Sequence, residues 1–203
     1  MYVTNSATLL YSSDIQTLTE DSIIEQAFPS KISEEVKFIF EKLSITTIHK
    51  TSTFFKVTVE GEELKIPYRI YYNETSLANL NDLTQVQQDI VNCIYSRHHD
   101  GFVRQKCISK IIASKHNWTT PFIIQIVGEY VIEILEVIND GINSLDKINL
   151  NNFLLSNKEF YKVTKDRVAS YWNCYYRMQY SRKENFVGFK ILRHFDKIIS
   201  GTV

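Results

Sequence analysis

The chain has 203 residues, 44% of them hydrophobic and 13% aromatic, with 23 Lys/Arg against 23 Asp/Glu and a formal net charge of zero. Such a composition buries a substantial core and excludes intrinsic disorder, while only 6 glycines and 3 prolines exclude a loop-rich or low-complexity chain and predict long regular elements, mostly helical. A zero balance leaves no global field to draw the molecule onto nucleic acid or an anionic membrane, although residues 158–203 hold ten Lys/Arg against four Asp/Glu.

In chain order, apolar residues at helical spacing predict short helices over residues 13–27 and 33–43. In the second, Val36, Ile39, Phe40 and Leu43 form the stripe and Ser33 is the expected cap. The period changes to two near residues 53–72: Phe55, Val57 and Val59 alternate with polar residues, the stretch 60–63 turns the chain, and Leu64, Ile66, Tyr68, Ile70 and Tyr72 alternate again. That pattern predicts a β-hairpin, with Pro67 turning an unpaired side outward.

From residue 81 the reading is helical throughout: 86–96 capped by Asp82, a corner at 97–101, then 102–113, 121–138, 146–155, 159–180 and 184–200. Thr119 or Thr120 is the expected cap before Pro121, and Gly141 the expected left-handed residue after 121–138. Helix 121–138 is apolar on nearly all sides except for one stripe of Gln125, Glu129, Glu133 and Glu136, which makes it the central helix, with Gly128 inside it serving close packing. Three carboxylates in that window exclude a membrane span, since they would cost several kcal/mol at a bilayer centre. The fold class expected is therefore mainly α, a helical array or bundle with a small β-hairpin. It forms a single domain over residues 1–203, in which residues 1–80 carry two N-terminal helices and the hairpin and residues 81–203 form the array.

Cys93, Cys107 and Cys174 are sparse, odd in number and free of metal-ligand spacing, so they read as small core hydrophobes. With no basic start or apolar run after Met1, they point to a reducing cytoplasm and to no cofactor or metal.

The segment 97–105 concentrates the chemistry: Arg97, His98, His99, Asp100 and Arg104 lie at a helix-to-helix corner. Asp100 is the expected cap there. Glu129 and Glu133, one turn apart on the expected helix, suit either an acid/base pair with an anion held by Arg97 or Arg104, or structural pairing of Asp100, Arg104, Glu129 and Glu133; buried carboxylates near arginines favour pairing. No G-x-S-x-G elbow, S-x-x-K motif or phosphate-cradling loop is present. Toward the C-terminus, Tyr161, Tyr171, Trp172, Tyr175, Tyr176 and Tyr180 interleave with Lys162, Lys165, Arg167, Arg177 and Arg182, a pattern that suits nucleic-acid binding. Helical spacing instead assigns Val168, Trp172, Tyr175 and Met178 to an apolar stripe, so most of these rings are expected in the core.

Asp100, Val103, Arg104, Cys107 and Ile111 resemble the D-x-x-V-R-x-x-A-x-x-x-L core of a HEAT-type helical repeat, with cysteine for the small residue and isoleucine for leucine. The resemblance covers about a dozen residues, and no second copy follows. It implies stacked helix pairs, with Asp and Arg joining neighbours, that present a binding surface. The stretch 121–130 is similar to a segment of a bacterial protein type, a likeness that implies no activity. The His99-Asp100 doublet is similar to that of HD-type metal phosphohydrolases, which implies a divalent ion activating water at His98, His99 and Asp100. The spacing departs from that family: His49 lies in a β-rich or loop stretch, and Gly101 follows the doublet where an apolar helix continues.

The expectation is a non-catalytic cytoplasmic protein-protein interaction module. A toxin-neutralising immunity role fits a small cofactor-free chain of this kind. Arg97, His98, His99, Arg104, Lys162, Lys165 and Arg177 are the expected contacts to another protein with an acidic surface. Nucleic acid is the secondary partner.

Overall fold

The computed structural model describes residues 20–43, 53–73 and 82–202. It is mainly helical, with one two-stranded antiparallel sheet among the described residues. Toward the N-terminus, α1 (Glu20–Glu25) and α2 (Ser33–Leu43) precede the hairpin β1 (Phe54–Val59) and β2 (Glu62–Pro67). Then follow α3 (Gln85–Tyr95), α4 (Gly101–Ile111), α5 (Thr120–Val127), α6 (Ile132–Asp140), α7 (Lys147–Ser156), α8 (Lys158–Tyr171) and α9 (Val187–Ile199). The expected helix at 13–27 is seen as α1; residues 1–19 lie outside the described ones.

Local chemistry sets the helix starts, and in two places it differs from expectation. Thr84, not Asp82, caps α3: its hydroxyl accepts from the Gln87 N–H at 3.4 Å while the Gln87 side chain accepts from the Thr84 N–H at 3.1 Å. Ser33 does not act as a cap, because a 3-10 turn at Ser30–Ile32 runs into α2 and Ser33 already has helical φ −61° and ψ −33°. Asp100 caps α4 and Asp146 caps α7 through their carboxylates. Pro121 stands in the first turn of α5, where its missing N–H costs nothing, but Thr119 is itself helical and makes no side-chain cap.

The expected continuous helix 121–138 is two helices. At Gly128 the ladder changes to three-residue spacing, with the Gly128 N–H donating to the Gln125 carbonyl and the Glu129 N–H to that of Ile126. A Cβ at Gly128 would lie 3.3 Å from Arg167 Cδ, so α5 meets α8 closely there. Every residue of α5 is buried, which makes it the central element. Gly141 ends α6 with φ −86°, so it is not left-handed as expected; a Cβ there would come within 2.7 Å of Ile112 Cδ1, and close packing explains the glycine.

In the hairpin, Glu60 (φ 51°) and Gly61 (φ 86°) both take positive φ, the geometry of a two-residue turn matched to strand twist. Phe55, Val57, Val59, Leu64 and Ile66 are buried on one face, and the Phe55 ring stacks on Phe160 of α8. The outer edge of β1 is closed by Asn157, whose side chain accepts from the Thr58 N–H at 2.7 Å and donates to the Thr58 carbonyl at 2.8 Å. Among the described residues the β1–β2 ladder runs from Val59 opposite Glu62 to Phe54 opposite Pro67. Beyond it the chain lies parallel to the α3–α4 corner, with the Ile70 N–H donating to Arg97 and the His99 N–H donating to Ile70.

A contiguous apolar core joins residues from Ile24 to Ile198, and α9 contributes Val187, Ile191, Leu192, Phe195 and Ile198 from one face. No helix among the described residues is long and apolar enough to cross a membrane. Asn157→Ala strips two backbone partners from β1, and urea denaturation should show a loss of about 1–3 kcal/mol.

Candidate functional site

Four segments meet at one carboxylate. The break at Gly128 turns Glu129 off α5 and into the space between the hairpin's tail and the α3–α4 corner. There Glu129 Oε1 accepts from Arg69 Nη1 at 2.8 Å and from Arg97 Nη2 at 2.7 Å, while Oε2 accepts from Arg69 Nη2 at 2.8 Å and lies 3.2 Å from Arg104 Nε. Arg97, Arg104 and Glu129 are buried, and Arg69 keeps 29% of its side-chain surface.

The guanidiniums also serve the backbone. Arg97 donates to the carbonyls of Pro67 and Tyr68, and Arg104 Nη1 donates to those of His98 and His99 at 2.9 Å each. Close by, Arg167 Nη2 donates to the Tyr68 hydroxyl at 3.1 Å, and its guanidinium lies over the Tyr68 ring.

Electrostatics follow from burial. Desolvation alone would raise the Glu129 pKa, but Arg97, Arg69 and Arg104 outweigh it and hold the carboxyl below its ordinary 4.5. Desolvation pulls the Arg97 guanidinium down to about 10, opposed by Glu129, so it stays protonated at neutral pH.

No family model, curated protein or solved structure matches this chain. What the corner does must be read from its own geometry.

Of the expected protein contacts, Arg97, His98 and Arg104 are buried beneath the surface that a protein partner would meet, with Arg97 donating to Glu129 and Arg104 to the His98 carbonyl. His99 is exposed and stacks on Tyr71 at 5.3 Å. Lys162 and Arg177 are exposed; Lys165 is half-buried with its Nζ over the Tyr161 ring. Within the expected pairing set, Arg104 meets Glu129 and Asp100 caps α4, whereas Glu133 is exposed in the first turn of α6, no longer one turn from Glu129 on a shared helix.

The donors expected of a metal hydrolase are committed elsewhere. His98 Nε2 is 2.9 Å from the Tyr72 carbonyl, and its Nδ1 accepts from the Asp100 N–H at 3.2 Å. Among the described residues no three His, Cys, Asp or Glu side chains converge as a metal site. These residues do not fit the divalent ion that the HD likeness implies.

The Ser114 hydroxyl donates to the buried Asp89 carboxylate at 2.5 Å, whereas His116 offers Ser114 only its backbone N–H. Burial raises the thiol pKa values of Cys93 and Cys107, the latter to about 12, which leaves them un-ionised. Cys174 is exposed, contrary to the core assignment. A polar cleft of 280 Å³ beside Asn117, Asn149 and Asn152 has Glu60 as its one titratable lining group, and Glu60 is ion-paired with Lys31.

Sequence reasoning missed a surface. Tyr130 and Tyr175 are 54% and 67% exposed and Met178 is 97% exposed, where a helical stripe assigns Tyr175 and Met178 to the core. The cause is a π-helical turn at Trp172–Tyr176 that ends α8: its wider spacing keeps Val168 inside and swings Tyr175 outward. Tyr130, Tyr171 and Tyr175 form a triangle with ring centroids 6.0, 6.1 and 6.3 Å apart. The Tyr176 hydroxyl donates to the Tyr130 carbonyl and fixes it.

Glu129→Gln preserves volume but leaves three guanidiniums without their carboxylate, and urea denaturation at neutral pH should show a loss of about 3–5 kcal/mol. Because the folded-state pKa is lowered, the Glu129 contribution is complete above about pH 4.5 and is lost as pH falls through the depressed value. The acid limb of the stability curve should therefore be shallower in the Glu129→Gln protein than in the wild type.

Proposed function

We propose that the protein is a non-catalytic protein-binding module, whose docking surface is the tyrosine triangle of Tyr130, Tyr171 and Tyr175 with Met178. The carrying observation is the exposure of Tyr175 and Met178 at the turn after α8 and of Tyr130, from the α5–α6 junction, beside the Tyr175 ring. Large amphipathic rings with few rotatable bonds are the usual anchors of protein interfaces, and methionine adapts to a partner's contour. On this reading the α3–α4 pair is a HEAT-like unit, with Val103, Cys107 and Ile111 packed inside and Asp100 and Arg104 fixing the joint.

The partner's chemistry follows from charge. Residues 158–203 carry a surplus of six positive charges, with Lys162 and Arg177 exposed, so the surface suits a protein with an acidic face. Neutralising a toxin in the cytoplasm is one task such a module performs. Binding to nucleic acid has weaker support, because Lys165 lies over Tyr161 and Arg177 over Trp172 within the chain itself.

The test is affinity for partners captured from the native host and then measured with purified proteins. Tyr130→Ser with Tyr175→Ser should weaken binding by about 2 kcal/mol or more, and reversing Lys162, Lys165 and Arg177 should slow association and flatten its salt dependence. Unchanged affinity in the tyrosine variants contradicts the surface. Salt-dependent retention on nucleic acid, abolished by the charge reversals alone, would replace the protein partner with nucleic acid.

A further inference from the structure

The arginine cluster around Glu129 is unbalanced. Arg69, Arg97 and Arg104 share that one carboxylate, and both its oxygens are already occupied. Arg167 adds a fourth guanidinium beside Tyr68, its stem against Gly128. Asp100, a second carboxylate nearby, is engaged by the N–H groups of Phe102 and Val103, and its field reaches Arg104. Among the described residues, four cations thus gather around two anions in a largely dehydrated place.

The donors show the same surplus. Arg97 is fully buried, yet its Nη1 has no hydrogen-bond partner among the described residues, and Arg104 Nε faces Glu129 without hydrogen-bond alignment. A buried guanidinium with an idle N–H loses hydration and recovers nothing, unless a further acceptor comes to it. Arg69, 29% exposed, is the member of the buried cluster that solvent reaches, and Arg167 is half-buried beside it.

We infer that this cluster is a binding site for one phosphoryl oxyanion, free phosphate or a phosphate ester, which enters past Arg69 and Arg167 and takes up the idle Nη1 donor of Arg97. Planar guanidiniums match the paired oxygens of such a group, and the dianion offsets the surplus charge. Arg69 stays bidentate on Glu129, which orients it. Arg167 supplies charge at the mouth without holding the corner together.

Inorganic phosphate is the probe, titrated into the purified full chain at neutral pH with ionic strength held constant by chloride. Calorimetry should find one site per chain, and the unfolding midpoint should climb with phosphate above the chloride control. Arg167→Gln, which spares every bond to Glu129, should weaken affinity about tenfold, and Arg193→Gln on the exposed side of α9 should leave it unchanged. Glu129→Gln gives a test of sign: removing the internal carboxylate should tighten phosphate about tenfold even as it lowers stability in chloride. A phosphate ester that competes with inorganic phosphate identifies a ligand source, and the absence of competition restricts the site to the free ion. The inference is overturned if phosphate acts no differently from chloride, or if its effect is the same in the Arg167→Gln and Arg193→Gln proteins.

Discussion

Glu129, accepting from Arg69 and Arg97 while touching Arg104, ties the hairpin's tail and the α3–α4 corner to the α5–α6 junction. Those three segments are far apart in sequence, and this carboxylate is where they meet. Such a hub need not add net stability over a well-packed apolar substitute, because taking charges out of water is costly. Its physical role is registry: each guanidinium also donates to the backbone, so Pro67, Tyr68, His98 and His99 are placed together with Glu129. The parallel bridge between Ile70 and His98 follows from that placement.

The same hub positions the surface proposed for docking. Tyr130 directly follows Glu129, so the first ring of the tyrosine triangle stands one residue from the buried charges and is held again by Tyr176 through its carbonyl. A rigid interior and an exposed aromatic face are thereby adjacent. An oxyanion settling among the arginines would stiffen the segment that carries Tyr130, and by reciprocity a partner on the tyrosines would alter the oxyanion's affinity.

Much of the fold was legible from period and punctuation. Ser33–Leu43 and the hairpin's alternation follow directly from side-chain spacing, and Asp100 and Asp146 mark helix starts because a short carboxylate satisfies N–H groups that no helix can. Two features misled where tertiary packing overrode the local pattern. Residues 121–138 read as one helix because apolar residues on all sides give no phase, so the break at Gly128, where α5 packs closely on α8, is invisible in the spacing. A π-helical turn likewise leaves no mark in composition, and it alone moves Tyr175 from the core to the surface. The pairing of Arg104 with Glu129 was within reach, since two opposite charges amid apolar neighbours need each other. Arg69 was not, because an alternating strand pattern assigns a lone cation to solvent and says nothing of a tail that passes alongside the α3–α4 corner.

Native-state amide hydrogen exchange, compared between the wild type and the Glu129→Gln protein, tests the registry role most directly. In the wild type the Ile70 and His99 amides should exchange only with global unfolding. In the variant they should open separately, well before the amides of α9. If those two amides keep pace with α9 in both proteins, the carboxylate is not what joins the hairpin's tail to the corner.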